Sequence, residues 1–227
     1  MNRLLIAFPL FFLIDGCAHQ ERQREESTDS APLNSEADAI ERFSANPAGA
    51  LPDHWEPMVI FRTKKRTHYE LVTEQNRTIL HARATSASSG LMQHVNIDAW
   101  NQPWLSWRWK IGEQADTADI AVHETEDSPA RIILGFDGDK DSLPFVDQIM
   151  FETARVFTGY DFPYATLMYV WESKAPLGTV LPSGRSDRIK KMVVANCPDG
   201  VGQWRDFSPH AISSRIFKRH SVKNRGA

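Results

Sequence analysis

The segment Trp100–Ile111 constrains the fold more than any other part of the chain, because it holds four of the seven tryptophans within ten positions. From Trp104 onward, its residues alternate as they would in a β-strand. One face would carry Leu105, Trp107, Trp109 and Ile111, and the other would carry Trp104, Ser106, Arg108 and Lys110. We therefore predict that Trp107 and Trp109 lie in the core. Trp100, Trp104 and Arg108 are then the candidates for a binding surface.

The first seventeen residues have the layout of a signal peptide. Arg3 precedes an eleven-residue apolar run, Leu4–Ile14, which is short for a membrane span and typical of a signal-peptide core. The sequence Leu13-Ile14-Asp15-Gly16-Cys17 resembles the lipobox of bacterial lipoproteins, although Asp15 replaces the usual small or apolar residue. The resemblance implies lipidation of Cys17 with palmitate and similar acyl chains. A plain secretory signal is the alternative.

The residue after Cys17 and the net charge limit the possible compartments and partners of the protein. Ala18 after Cys17 implies, by the same resemblance, an outer-membrane lipoprotein facing the periplasm, and a soluble periplasmic or secreted protein is the alternative. The net charge of −3 gives no reason to expect nucleic acid as a partner. The expected partners are therefore the membrane, through the lipid anchor, and a glycan or an envelope protein. No cofactor is predicted.

The chain divides into four parts by composition. Residues 1–17 are the leader, and residues 18–42 form a polar, flexible tether with few large apolar side chains. Residues 43–207 form the folded domain, and residues 208–227 are a basic tail. Within the domain, short apolar and β-branched runs separated by turns predict the strands Trp55–Phe61, His68–Thr73, Thr78–Arg83, Leu91–Ile97, Trp104–Ile111, Ala130–Phe136, Ala165–Trp171 and Ile189–Ala195.

One segment has a helical period instead. Ser142 is a predicted N-cap, Pro144 suits the first turn, and Gly159 ends a helix that spans about residues 142–158. Its apolar stripe, expected to face the core, comprises Phe145, Val146, Ile149, Met150, Val156 and Phe157. The predicted fold is thus mainly β: an antiparallel, jelly-roll-like β-sandwich with one amphipathic helix.

The sequence resembles an uncharacterised bacterial family, the domain of unknown function 3047. The matching pieces are Leu51–Trp55, Tyr69–Val72, Ser88–Leu91, Leu105–Lys110, Asp127–Arg131, Pro163–Trp171 and Trp204–Asp206, in order across roughly residues 43–207. The resemblance implies one β-rich domain outside the cytoplasm and no particular activity. Family members typically end in an acidic Thr-Asp-rich motif and a closing strand, whereas Phe207–Ala227 is basic here. A truncated terminus explains this difference better than a purposeful basic arm.

Acidic clusters supply the only candidates for catalysis or metal binding. Asp137, Asp139 and Asp141 alternate as at the start of a calcium loop, but the later ligands of such a loop are missing, so a solvated turn explains them better. A carboxylate pair for polysaccharide hydrolysis would come from Asp119, Glu126, Asp127 and Asp137. A charged surface loop explains these acids equally well.

Two arginines lie within predicted strands. Arg108 and Arg131 need a carboxylate partner inside a sheet, and Asp119 or Asp127 could supply it. In the functional alternative, one of the arginines reaches a ligand beside Trp104, with Trp100 and Tyr169 as further ring platforms. The leading hypothesis is a non-catalytic envelope lipoprotein that binds a glycan or another envelope component. The alternatives are a polysaccharide hydrolase and a scaffold subunit whose edge strands pair with a partner.

Overall fold

The computed structural model describes residues 4–7, 39–60, 62–99, 101–113, 118–122, 125, 128–172, 174–183, 186–195 and 200–211. A 3-10 helix at Phe43–Ala45 precedes most of the domain. The strands are β1 (Leu4–Ala7), β2 (Glu56–Met58), β3 (His68–Glu74), β4 (Arg77–Arg83), β5 (Gly90–Val95), β6 (Trp104–Trp109), β7 (Arg131–Phe136), β8 (Ala165–Trp171), β9 (Val180–Ser183), β10 (Ser186–Ala195) and β11 (Arg205–Ala211), with helix α1 at Phe145–Thr158. The mainly β class with one helix is thereby confirmed.

The described residues of the domain form three sheets. The largest has seven strands in the order β2-β5-β1-β7-β8-β10-β9, and two-stranded sheets are formed by β11 with β6 and by β3 with β4. The neighbours pair antiparallel, except β8 and β10, which run parallel. A shared core joins the seven-stranded sheet to both small sheets, so the layers pack face to face as in a sandwich.

The predicted strands are all present, with ends that differ by a few residues. Strands β1, β9 and β11 were not predicted. Strand β11 continues to Ala211, four residues beyond the boundary predicted for the basic tail. The tight turn between β3 and β4 places Gln75 and Asn76 at φ of 50° and 60°, the left-handed region that asparagine tolerates well.

An aromatic cluster fills the space between the large sheet and the β6–β11 pair. Trp109 and Trp171 are buried, and Trp107 stacks on Tyr169 and on Phe207, with ring centroids 5.1 Å apart in both pairs. Trp107 and Trp109 meet edge to face at 5.7 Å. Such pairs add stability beyond the area they bury. The prediction that Trp107 and Trp109 belong to the core is therefore confirmed.

The apolar stripe of helix α1 faces solvent, whereas the prediction placed it against the core. It begins at Phe145, and the Ser142 hydroxyl donates to the Asp139 carbonyl instead of capping the helix. Gly159, at a φ of 71°, ends the helix as predicted. Five of the six residues of the stripe are exposed, namely Phe145 (73%), Val146 (76%), Ile149 (49%), Val156 (76%) and Phe157 (84%), and Met150 is half-buried.

The inward side of α1 is held by polar contacts, which explains the reversed orientation. The Asp147 carboxylate accepts from the Arg188 guanidinium on β10 at 3.2 Å. The Gln148 amide donates to the carbonyls of Asp141 and Leu143, at 2.9 and 2.8 Å. The expectation that the apolar stripe faces the core was therefore wrong, because hydrogen bonds and an ion pair turn the polar side toward the domain.

Candidate functional site

The outward face of β6 carries the candidate surface. Alternation along the strand leaves Trp104 63% exposed and Ser106 and Arg108 exposed, while Trp109 is buried beneath them. Trp104 is the one exposed tryptophan among the described residues.

Arg108 is neutralised across the strand pair. The register of β6 and β11 places Asp206 directly opposite Arg108, and the Arg108 Nε group forms an ion pair with the Asp206 carboxylate. Directly opposed charges on neighbouring strands attract each other. Arg108 thus has a carboxylate partner, as expected of an arginine within a strand, but this partner is Asp206 rather than Asp119. Its partner is a residue far along the chain that only strand pairing brings close.

Trp204 forms the centre of a second contact group beside this pair. Its indole N–H donates to Glu74 Oε1 at 3.0 Å, and Lys110 Nζ lies 2.6 and 2.7 Å from the two Glu74 oxygens. Lys110 Nζ and the Arg108 guanidinium carbon lie 5.2 and 5.4 Å from the centre of a Trp204 ring, within cation–π range. We call Trp104, Arg108, Lys110, Trp204, Asp206 and Glu74 the β6 face.

Electrostatics stabilise the ionised form of Glu74. The hydrogen bond from Lys110, and then the one from Trp204, holds the pKa of the Glu74 carboxyl below its usual value. On the same side of the β3–β4 hairpin, His81 Nδ1 lies 3.1 Å from Glu70 Oε1. That contact with His81, with a smaller contribution from His68, lowers the pKa of Glu70. The Glu74–Lys110 pair therefore carries no net charge at neutral pH, and Glu70 stays ionised.

Two of the predicted ligand-binding residues lie elsewhere. Arg131 is buried within β7 at 5% exposure, and Tyr169 on β8 is fully buried in the aromatic cluster. Neither can meet a ligand at the surface, because the sheet that carries them is covered by other layers. Trp100 lies outside the described residues, as does the lipidation candidate Cys17.

The acids proposed for hydrolysis are not brought together where they are described. Asp119 adjoins the loop that contacts Glu172, just after β8, and Asp137 follows the last residue of β7. Because β7 and β8 run antiparallel, with Arg131 opposite Val170 and Phe136 opposite Ala165, these two positions lie near opposite ends of the strand pair. Glu126 and Asp127 fall outside the described residues.

The acidic run after β7 forms a local turn. Asp139 Oδ1 accepts from the backbone N–H groups of Asp141 and Ser142, at 3.1 and 3.2 Å. Asp137 is exposed beside it. Among the described residues, which include Asp137, Asp139 and Asp141, no group of three or more His, Cys, Asp or Glu side chains is arranged to hold a metal ion.

A buried polar contact at the end of β8 was missed by sequence reasoning. Glu172 and Lys191 are both nearly inaccessible to solvent, at 2% and 3% exposure. Glu172 Oε2 accepts from the Ile120 N–H at 3.1 Å, and Lys191 Nζ donates to the Ile120 carbonyl at 2.8 Å. The two side chains thus hold a loop residue by both of its backbone groups. Their role is to fix this loop against the sheet.

Trp204, Glu74 and Asp206 were also not predicted as site residues. Glu74 ends a strand on its polar side, and Trp204 precedes a strand after a turn, so neither position stands out locally. The one available signal is the Trp204-Arg205-Asp206 sequence, which is part of the family resemblance.

Comparisons with known proteins identify a family but no activity, ligand or partner. Within the described part of the chain, no helix is long and apolar enough to cross a membrane. No curated protein and no solved structure matches the sequence. The family described as "Protein of unknown function (DUF3047)" matches residues 53–212, which hold strands β2 to β11 and helix α1. Because this match spans well over half of the 227 residues, the chain belongs to that family.

Proposed function

We propose that this protein is a non-catalytic binding domain of the bacterial cell envelope, which holds a glycan or another envelope component on the β6 face. The observation that carries the proposal is Trp104, which is 63% exposed on the same side of β6 as Arg108. An exposed indole offers a flat apolar area with a polar rim, and the C–H face of a sugar ring fits such an area.

The charged pairs farther along the β6 face, beside Trp204, favour a hydroxyl-rich ligand. Arg108 is paired with Asp206 and Lys110 with Glu74, so the face presents N–H donors and carboxylate oxygens without a large net charge. Hydroxyl groups can donate to the carboxylates and accept from the cations. A strongly anionic ligand would have to displace the existing carboxylate partners, which makes it a poorer fit.

The proposal includes attachment to the membrane through Cys17. The lipobox-like sequence before Cys17 supports it, and several acyl chains would give stable anchoring, since each buried CH₂ group contributes about 0.8 kcal/mol. Labelling with a palmitate analogue in cells tests this part. The wild-type chain should be labelled and the Cys17→Ser variant should not, and equal labelling of both would end the lipoprotein proposal.

Binding to a glycan array tests the ligand part. The array would carry peptidoglycan fragments and lipopolysaccharide oligosaccharides, and the Trp104→Ala variant should bind at least about tenfold more weakly than the wild type. Phe157→Ala is a matched control, because Phe157 is an exposed aromatic residue on α1 rather than on the β6 face. Failure of the wild type to bind any of these glycans, or equal binding by Trp104→Ala, would reject the proposal.

The two competing functions have less support. Hydrolysis needs two carboxyl groups roughly 5 to 10 Å apart, and the described candidates Asp119 and Asp137 lie near opposite ends of the β7–β8 pair. A scaffold would pair its outer strands with a partner, but the edge strands of the seven-stranded sheet, β2 and β9, are short and contain Pro57 and Pro182. Short edge strands with proline discourage such pairing.

A further inference from the structure

The outer side of helix α1 is an apolar face that lies in solvent. At the helical period of about 3.6 residues, its exposed positions fall within an arc of about 120°. None of these positions is charged, and we call them the α1 face: Phe145, Val146, Ile149, Thr153, Val156 and Phe157. An amphipathic helix normally covers such a face with a partner.

The charges of α1 do not require a charged partner. Asp147 Oδ2 lies 3.2 Å from the Arg188 guanidinium of β10, on the inner side of the helix. Glu152 and Arg155 pair with each other at 2.7 Å along one flank. Each charge of the helix therefore has an opposite charge beside it, so an apolar surface can cover the α1 face without leaving an ion unpaired.

The size of the α1 face is sufficient for association. At their observed exposures, its five apolar side chains present about 600 Å² of accessible surface. The largest apolar patch on a typical monomer covers about 300 to 600 Å², and patches at or above that limit mark association sites. Two such faces packed together bury about 1,200 Å², which is the lower end of the range for specific protein–protein interfaces. A second copy of the chain therefore supplies enough surface for a weak dimer.

The order of residues along the α1 face is nearly the same in both directions. The pair Phe145–Val146 at its beginning is mirrored by Val156–Phe157 at its end. Ile149 is mirrored by Thr153, and both are β-branched. All of these pairs have the same midpoint, Phe151, which is half-buried on the opposite side of the helix. Each pair thus lies at equal distances along the helix from Phe151, and at equal angles on either side of the line opposite it.

We propose that the α1 face is a homodimer interface, in which two copies of the chain pack their α1 helices antiparallel about a two-fold axis at the level of Phe151. A two-fold interface requires one patch to be complementary to itself, and a face that reads the same from both ends meets this requirement for antiparallel helices. Phe157 of one copy then packs on Val146 of the other, and Phe145 packs on Val156, so that a large ring meets a small side chain at each end.

The small area sets the strength of this dimer. We expect a dissociation constant on the order of 10 μM, so the chain is mostly a monomer with a solvated α1 face at about 1 μM. This interface goes beyond the proposed binding function and does not depend on it.

Sedimentation equilibrium of the full-length chain, from about 1 to 200 μM, tests the proposal. The average mass should rise with concentration from 25.8 kDa toward twice that value. Val146→Glu should weaken association at least about tenfold, because it places an unpaired charge in the interface. The matched control is Leu177→Glu, which introduces the same charge at an apolar residue that is 62% exposed and lies outside α1.

The control should associate like the wild type. A wild-type chain that stays monomeric up to the highest concentration, or equal weakening by Val146→Glu and Leu177→Glu, would overturn the proposal. Both substitutions are at exposed positions, and matching circular dichroism spectra would show that each variant is folded.

Disulfide trapping tests the antiparallel arrangement. In a background with Cys17→Ser and Cys197→Ser, a chain with Ile149→Cys is mixed with a tagged chain with Thr153→Cys. Positions 149 and 153 of opposite copies lie at the same level in the proposed dimer, whereas like positions are offset by about 6 Å along the helix. The mixture should therefore give more cross-linked dimer than either variant alone. Stronger cross-linking of each variant with itself would indicate parallel helices and contradict the proposal.

A lipid surface is the alternative occupant, because amphipathic helices also bind membranes through their apolar side. Co-sedimentation with phosphatidylcholine vesicles distinguishes the two. Under the dimer proposal, Val146→Glu and Leu177→Glu should sediment with vesicles to the same extent. If Val146→Glu alone loses vesicle binding, and the wild type is monomeric without vesicles, the α1 face is a lipid-binding surface and the dimer proposal fails.

Discussion

Replacing Phe157 with alanine tests whether the apolar stripe of α1 faces solvent, as observed, or the core, as its periodicity suggests. Phe157 is 84% exposed, so only about a sixth of its surface is withheld from water. For a phenylalanine of about 200 Å² this is roughly 30 Å², and at 25 cal/mol per Å² the loss of its burial costs about 0.8 kcal/mol. Alanine offsets part of this loss of stability, since its helix propensity is better than that of phenylalanine by a few tenths of a kcal/mol.

The net effect of Phe157→Ala on the free energy of unfolding should therefore stay within about 0.5 kcal/mol, or about 2 °C in melting temperature for a domain of this size. Leu167→Ala is the contrasting variant, because Leu167 is fully buried in the core. Its loss should cost about 2 to 5 kcal/mol and lower the melting temperature by roughly 4 to 20 °C.

Urea unfolding, followed by tryptophan fluorescence and by circular dichroism at one protein concentration, measures both variants. Coincident transitions by the two probes would support two-state unfolding. A loss of 3 kcal/mol or more for Phe157→Ala, comparable to a core aromatic residue, would refute the reasoning. It would mean that the apolar stripe packs against the domain and that Asp147 does not hold the opposite side inward.

Three further predictions concern single groups. Burial raises the pKa of Tyr169 from its usual value near 10 to about 12. The neutral phenol therefore contributes roughly 3 kcal/mol to the free energy of unfolding below pH 10, and this contribution is lost as the pH rises toward 12. Alkaline unfolding should begin at a higher pH in Tyr169→Phe than in the wild type, and identical profiles would contradict this. Glu74→Gln should shift the NMR resonance of the Trp204 indole N–H and weaken the contact with Lys110, and an unmoved resonance would contradict the hydrogen bond. In the wild type, the same resonance should stay in place until the pH falls below the usual carboxyl pKa and should move only as Glu74 protonates. Glu172→Ala should lower stability by about 1 to 3 kcal/mol, because a buried backbone N–H loses its acceptor, and a melting temperature equal to the wild type would argue against that contact.

Local patterns were enough to predict much of the fold. The alternation around Trp107 and Trp109 correctly assigned both to the core, and Gly159 correctly marked the end of α1. These features depend on the geometry of a few consecutive residues, because side chains alternate along any strand and glycine accepts a left-handed backbone wherever it stands. The periodicity of α1 was equally clear, yet it could not reveal which side of the helix would be covered.

The exposed residues of β6 in the candidate site were predictable from local pattern, but the residues around them were not. Alternation along the strand places Trp104 and Arg108 on its polar side, and both are exposed there. Their surroundings, Trp204, Asp206 and Glu74, come from distant parts of the chain. Arg131 is buried, which agrees with the structural explanation of an arginine within an apolar strand and not with the ligand-binding alternative.

The sequence by itself determined the family, the mainly β class, the strand that carries the tryptophans and which of its faces is polar. Those properties follow from side-chain direction and turn chemistry, which act between neighbouring residues. Only the tertiary structure decided that Arg108 pairs with Asp206, that α1 shows its apolar stripe to solvent and that Leu4–Ala7 lies between β5 and β7. Each of these depends on which distant segment covers a surface, and that is settled by the packing of the whole chain rather than by any local pattern.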